Sequence, residues 1–428
     1  MAASDTHRAI DAVWRIESAK LIAGLTRIVR DVGLAEDLAQ DALLVALEKW
    51  PETGVPDNPG AWLMATAKHR AIDKLRRNKL LDRKHEQLGY ELEERQESGA
   101  PDLDAAIDDN VGDDLLRLMF MSCHPVLSME ARVALTLRLL GGLTTPEIAR
   151  AFLVPEPTIA QRIVRAKKTL TEAKVPFEVP RGDELQARLS SVLGVIYLVF
   201  NVGYSATAGD AWTRPALCEE ALRLGRILAG LAPNESEVHG LVALMEIQAS
   251  RLRARVSPSG KPVVLMDQDR SRWDHMLVNR GLAALTQAER HANGRLGPYA
   301  LQASIAACHA RARQPEDTDW ERIATLYEAL GALTPSPVVE LNRAVAVSMA
   351  RGPEAGLEIV DGLIADGSLD EYHLLPSVRG DFLSKLGRMD EARTEFERAA
   401  SLTKNDRERE LLLERAAACA ASPIEASS

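Results

Sequence analysis

Apolar residues near the N-terminus recur at steps of three and four: Ile10, Val13, Trp14, Ile16, Leu21, Ile22, Leu25 and Ile28. After a break at Gly33 the same rhythm resumes in Leu34, Leu38, Ala42, Leu43, Val45, Ala46 and Leu47. Such spacing puts one buried stripe on a helix, so this segment is predicted to be helical. The proline- and glycine-rich stretch PETGVPDNPG, Pro51 to Gly60, is predicted to be a loop, and Ala61 to Lys79 a long helix, apolar in its first half and basic in its second.

Farther on, LLGGLTTPEIARAFLVPEPTIAQRIVRAKKTL, Leu139 to Leu170, has the punctuation of a helix-turn-helix. One helix ends at Gly141-Gly142, and a second starts with Thr145 as N-cap and Pro146 at its first position, with Ile148 and Ala149 facing inward. Leu153-Val154-Pro155 makes a turn, and Ile159, Ile163, Ala166 and Leu170 fall at core spacing on a third helix. Val175 to Gly182, with Pro176 and Pro180, reads as a domain boundary.

Beyond Asp183 helical patterns continue almost without strand signals. Tyr299, Val338, Tyr372 and Asp406 lie 39, 34 and 34 residues apart, near the period of about 34 expected for tetratricopeptide repeats. The clearest unit is LSKLGRMDEARTEFERAASL, where Leu386-Gly387 ends one helix and Ala392, Phe396 and Ala399 line the next. Stacked repeats of this kind build concave binding surfaces.

Composition agrees with an all-α chain: 428 residues, 46% hydrophobic but only 4% aromatic. The expected organisation is a helical domain over 1–85, a linker over 86–114, a helix-turn-helix domain over 115–176 and a helical extension over 183–428 with repeats from about 298. No run resembles the roughly 18 to 20 uncharged apolar residues of a membrane span, and the first thirty residues do not pattern as a signal peptide, so a cytoplasmic protein is expected. Cys123, Cys218, Cys308 and Cys419 are far apart, with no CxxC pair, and are expected to be packed thiols; neither metal nor cofactor is expected. GxxxxGK[ST], HExxH and GxSxG are all missing, which disfavours an enzyme, and no catalytic residue is assigned.

The formal charge of -10 changes meaning once mapped along the chain. Lys68 to Lys84 carries eight basic residues against two acidic ones, and Glu86 to Asp114 carries eleven acidic residues against Arg95 alone. Leu115 to Lys174 is basic again, nine against four. Two positive segments bracket a negative strap, which reads equally well as a solvated spacer or as a polyanionic mimic of nucleic acid.

On the outer face of the last helix of the helix-turn-helix lie Thr158, Gln161, Arg162, Arg165, Lys167 and Lys168, placed to meet base edges from the N-terminal half and phosphates from the C-terminal half. Taken alone, that helix is also compatible with a solvated basic surface. In PGAWLMATAKHRAIDKLRRNK, Trp62 precedes Lys68, His69, Arg70, Arg76 and Arg77, an aromatic-cationic mixture suited to holding a DNA strand, although Trp62 is expected to be buried rather than stacked on a base.

AEDLAQDALLVALEKWP followed by AWLMATAKHRAIDKLRR resembles region 2 of extracytoplasmic-function sigma factors, and LTTPEIARAFLVPEPTIAQRIVRAKKTL resembles their region 4. The remainder, including VIYLVFNVGYSA and PSPVVELNRAVAVSMARGP, is similar to the subgroup with a long tetratricopeptide-like tail. The resemblance implies that core RNA polymerase and promoter DNA are partners. It assigns Asp37, Gln40 and Asp41 to docking on the polymerase clamp, and His69, Arg70, Asp73, Arg76 and Arg77 to recognition and melting of the -10 region. Thr158, Gln161, Arg162, Arg165 and Lys168 are assigned to the -35 region. His69 departs from the Asn common in the wider family, and Val202 interrupts the string from Asn201 to Tyr204.

In the tail, LMDQDRSRWD, Leu265 to Asp274, concentrates charge among apolar helices. It reads as an internal polar network joining tail to sigma module, with a ligand pocket and an exposed loop as alternatives. The tail itself is expected to dock on its own sigma module or on a protein partner. A classical regulator with a repeat sensor would leave the region-2-like segment without a role, and a scaffold would leave the basic face of the helix-turn-helix without one.

Overall fold

The computed structural model describes residues 3–86, 111–152, 154–204, 214–257, 263–403 and 405–421, with only the backbone described for 3–5, 75–86, 111, 183, 407 and 421. These residues form eighteen α-helices and, among them, no strand. The chain divides into two compact units, Met1–Leu198 and Val199–Ser428.

The first unit opens with α1 (Ala3–Val29), α2 (Val32–Thr53) and α3 (Pro59–Glu86), which pack on one another. The α1–α2 break comes earlier than Gly33. Arg30 adopts φ 55°, and the Asp31 carboxylate caps α2 by accepting from Leu34 N at 2.7 Å. A side-chain cap fixes the helix start more firmly than a glycine can, so Gly33 lies inside α2. Pro51 also lies inside α2 rather than in a loop. In the last turn a proline forfeits a single backbone bond, and the helix instead stops at Gly54, whose φ is 85°. Ile10, Leu21, Ile22, Leu25, Leu38, Ala42 and Ala46 are buried as the periodicity requires, whereas Ile16 is 63% exposed.

Next come α4 (Val111–Ser122), α5 (Met129–Leu139), α6 (Thr145–Phe152), α7 (Glu156–Glu172) and α8 (Asp183–Tyr204). The acidic strap predicted over 86–114 is shorter at both ends: Glu86 closes α3, and Val111 to Asp114 form the first turn of α4. Asp114 is 3% exposed, bonded to Arg117 at 2.8 Å and paired with Arg27 at 3.1 Å, so this acid belongs to a core and not to a solvated strap. Residues 87–110, the body of the strap, lie outside the described residues.

The domain boundary expected at 176–182 also moves. The first half of α8 is bonded to the helices before it: Arg188 donates to Phe120 O at 3.0 Å and Ser191 to Cys123 O at 2.7 Å, while Arg132 donates to Ser191 Oγ at 3.0 Å. The division between units therefore falls within α8, after Leu198. Contrary to the expectation of no such run, Glu184–Tyr204 is long and apolar enough, by length and composition, to cross a bilayer. In the fold Val192, Leu193, Val195, Ile196, Val199 and Phe200 of this helix are buried in protein.

The second unit continues with α9 (Pro215–Leu231), α10 (Ser236–Ala249), α11 (His275–His291), α12 (Pro298–Arg311), α13 (Trp320–Leu333), α14 (Pro337–Arg351), α15 (Pro353–Ala365), α16 (Leu374–Lys385), α17 (Met389–Leu402) and α18 (Asp406–Ala421). From α12 onward each helix packs on the next. Helix pairs open at Pro298, Pro337 and Leu374, close to the predicted positions, and α18 opens at Asp406. Phe382 and Phe396, both 1% exposed, anchor the C-terminal core with Ala392 and Ala399. All four cysteines are buried thiols; desolvation pushes Cys123 up to about 11 and Cys218 up to about 12.

Candidate nucleic-acid interface

The helix-turn-helix is formed by α6 and α7, which pack on each other with Ile148, Ala149, Ile159, Ile163, Ala166 and Leu170 buried between them and their neighbours. Its cap is Thr144, one residue earlier than expected. Thr144 N and Oγ1 both donate to Glu147 Oε2 at 2.8 Å, and Glu147 N donates back to Thr144 Oγ1 at 3.4 Å. This reciprocal box needs an acid three residues after the cap, and Glu147 stands three after Thr144, not Thr145.

On α7, Gln161, Arg165 and Lys168 are exposed, while Thr158 and Arg162 are half-buried. Lys168 is held loosely by Glu172 at 3.6 Å, both side chains largely in solvent. Val164, which sequence reasoning passed over, is 65% exposed beside them. An exposed apolar group among hydrogen-bonding side chains matches the mixture a major groove offers, thymine methyl included.

In the first helical group Asp37 is exposed on α2. Gln40 donates to Glu36 Oε1 at 2.7 Å, and Asp41 pairs with Arg70 of α3 at 3.1 Å. The residues assigned to polymerase and those assigned to DNA thus meet across α2 and α3. His69 and Asp73 are exposed on α3; Arg76 and Arg77 continue that helix, and their side chains lie outside the described residues. Trp62 is only partly buried, packing edge-on against the buried Trp50 with ring centroids 5.2 Å apart.

Three residues that sequence reasoning did not pair dominate the electrostatics. Glu36, 2% exposed, accepts from Arg138 Nε of α5 at 2.6 Å and is paired with Lys167 Nζ of α7. Burial alone would raise this carboxyl, but Lys167 and Arg138 outweigh it and hold Glu36 below the usual carboxylate range. Around this clasp Thr171 donates to Asp31 Oδ2 at 2.9 Å, Arg15 pairs with Glu147 at 3.1 Å, and Arg27 of α1 pairs with Asp114 of α4. At Asp114 burial wins over its two arginines and raises the carboxyl. The helix-turn-helix therefore sits against α1 and α2 along an ionic seam. A signal for Glu36 was present, because it falls on the apolar stripe of α2 with Val32, Ala35 and Ala39.

In the tail, Leu265 to Asp274 was expected to join the tail to the sigma module, but the polar contacts of this stretch among the described residues are made with other tail residues. Arg270 donates to His309 O and Ala312 O, each at 2.6 Å, and Asp274 caps α11 through Met276 N and Leu277 N. Trp273 is 5% exposed, with the guanidinium of Arg270 5.1 Å and that of Arg251 5.8 Å from its ring centroid.

Comparison with known proteins adds the family. Residues 17–80 match the model for Sigma-70 region 2, and 117–170 that for Sigma-70, region 4. Residues 188–289 match a family of unknown function, DUF6596. An uncharacterised protein of Rhizobium meliloti is 46% identical over 385 residues, 90% of this chain and 89% of that one. The ECF RNA polymerase sigma factor SigK of Mycobacterium bovis is 30% identical over 153 residues, 34% of this chain and 74% of SigK. SigK of Mycobacterium sp. strain KMS is 28% identical over 163 residues, 36% of this chain and 77% of that protein. With both regions in order along the chain, the protein belongs to the extracytoplasmic-function RNA polymerase sigma factors: it is an alternative sigma factor acting in transcription initiation, and not an enzyme.

Proposed function

We propose that this sigma factor docks on core polymerase through Asp37, Gln40 and Asp41 and engages the -10 region with His69, Arg70, Asp73, Arg76 and Arg77. Thr158, Gln161, Arg162, Arg165 and Lys168 read the -35 region, with Val164 added as an apolar contact. The observation that carries the reading is the exposed stripe of Gln161, Val164, Arg165 and Lys168 on the second helix of a helix-turn-helix whose first helix is capped by Thr144 and Glu147. Its site of action is the cytoplasm, where polymerase and promoter are.

The arrangement with Glu36 clasped is a closed one. The -35 and -10 elements are about 25 base pairs apart, or ~85 Å at about 34 Å per helical turn. Contact between α2 and α7 holds the two reading surfaces within a few helix diameters of about 10–12 Å each. Promoter engagement therefore separates region 4 from region 2 and frees Lys167.

The helix pairs from α12 onward act as tetratricopeptide-like repeats, and the tail regulates the sigma module by docking on it or on a protein partner. Run-off transcription by core polymerase, with and without the full chain, tests the activity. Transcripts that require the protein and are lost with Asp37→Arg/Gln40→Ala support the assignment. Protein-dependent transcripts untouched by that pair would remove the docking role from these residues.

A further inference from the structure

The tail has an open cavity of about 370 Å³ between Arg251, Arg255 and the stretch from Val263 to Gln268 on one side and the helices α16 and α18 on the other. That volume is at the lower end of small-molecule sites. The geometry points to a binding site for a small organic carboxylate that carries an apolar body and one hydrogen-bond donor.

The argument starts from charge. Arg251 and Arg255 both line the cavity. Arg251 donates to Tyr204 Oη at 2.9 Å and has no carboxylate partner among the described residues, and its Nε has no hydrogen-bond partner. Arg255 lies over the Tyr204 ring at 3.7 Å and donates to Tyr204 O at 2.6 Å. Burial is the main influence lowering the pKa of Arg255, and the neighbouring charge of Arg251 lowers it further. Arg251, with its Nε buried and no carboxylate partner among the described residues, makes a place where an anion is favoured, and a planar carboxylate fits the guanidinium fork.

A second, independent observation is Gln268, 6% exposed on the same cavity wall. Its Nε2 donates to Val263 O at 3.1 Å, which fixes the amide orientation and leaves Oε1 buried with no donor. Such an acceptor calls for a ligand N–H or O–H.

The remaining walls are apolar. Val264, 53% exposed, and Leu374, 39% exposed, line the cavity with Leu265, Leu411 and Leu412. Large apolar side chains left open beside a cationic end suit an amphipathic anion. On the other side His373 pairs with Glu408 at 3.2 Å and Arg415 with Asp381, so those charges already have partners.

The probe is 3-hydroxydecanoate, which has all three features; decanoate lacks the donor and the methyl ester of 3-hydroxydecanoate lacks the charge. Calorimetric titration and thermal shift on the full chain, without polymerase, keep the result separate from the transcriptional reading. Saturable 1:1 binding is expected, at least about tenfold weaker in Arg251→Gln and for the methyl ester, and weaker for decanoate. Should Arg251→Gln not fold, Val264→Asp and Leu374→Asp alter exposed wall positions and should repel the carboxylate. Exposed Arg272 lies outside this cavity, so Arg272→Gln should bind like the wild type. The site is refuted if 3-hydroxydecanoate does not bind saturably, or if it binds folded Arg251→Gln or Val264→Asp as tightly as the wild type.

Discussion

The two units hold their helices together by different means. In the first, α2 meets the helix-turn-helix through Glu36, Arg138 and Lys167, and α1 meets α4 through Arg27 and Asp114. In the second, helices approach through missing side chains. A Cβ added to Gly240 would stand 2.6 Å from Ala300 N, one on Gly281 2.6 Å from Ile247 Cγ1, and one on Gly356 2.6 Å from Ser348 Cβ. The cations of these pairs stay partly open to water and can find other partners when the buried carboxylates are withdrawn, whereas close apolar packing has no substitute when it is pulled apart. On the function proposed above, the ionic contact of region 2 with region 4 is the joint that opens, and the closely packed tail is the part that stays rigid.

The largest effects should come from breaking the rigid side. Phe396→Ala empties a core position that is 1% exposed and should cost about 3–5 kcal/mol in denaturant unfolding of the tail. Gly356→Val should be similarly damaging, because the clash at Ser348 Cβ and with Ala344 O, 2.9 Å away, involves parts that cannot swing aside. A tail that unfolds as readily as the wild type in either variant would contradict the contrast.

Opening the joint should be milder. Glu36→Gln leaves Arg138 and Lys167 without their anion, but both side chains retain access to water, 23% and 19% exposed. A loss of about 1–3 kcal/mol in the docking of region 4 is expected, read as faster hydrogen exchange in α7. Unchanged protection of α7 would show that the clasp does not hold the joint.

On the reading face, Arg165→Ala and Arg162→Ala should each cost about 1–3 kcal/mol of promoter discrimination if they meet bases, while Lys168→Ala should weaken all sequences alike. Binding to promoter variants by holoenzyme separates the two patterns, and sequence-blind losses throughout would reduce the helix to a phosphate contact.

Acid gives the smallest and sharpest test. Glu36 has its pKa lowered in the folded protein, so its stabilisation is complete above the ordinary carboxylate pKa and disappears as pH falls through the lower folded value. Asp114 has its pKa raised and contributes in the opposite sense, favouring the fold as pH falls. The difference between wild type and Glu36→Gln should therefore narrow on acidification, and a constant difference would mean the carboxylate charge is not what matters.

Much of this was legible in the sequence because it is local. Periodicity located the helices, and Ile159, Ile163, Ala166 and Leu170 are buried as their spacing demands. Errors arose where a nearby group outcompeted a general signal: Asp31 over Gly33 at the start of α2, Thr144 over Thr145 at α6, and a helix strong enough to carry Pro51 in its last turn. The clasp was not legible for a different reason. Arg138 is 102 residues from Glu36, and nothing in a single sequence pairs charges over that distance. Likewise, the bonds of Arg188 and Ser191 to Phe120 and Cys123 assign the start of α8 to the first unit against the boundary suggested by Pro176 and Pro180.

The most direct test is the distance between the two sigma regions in solution. The native cysteines are all buried. Spin labels at Glu48→Cys on α2 and Ala173→Cys just after α7, both exposed positions, can therefore be attached to the full chain and read by pulsed dipolar spectroscopy. One short distance is expected in the free protein, lengthening by tens of ångströms on binding core polymerase and promoter, with Glu36→Gln broadening the free distribution toward longer values. A distance that is already long in the free wild type, or that stays short in the promoter complex, would contradict a joint that closes through Glu36 and opens to initiate transcription.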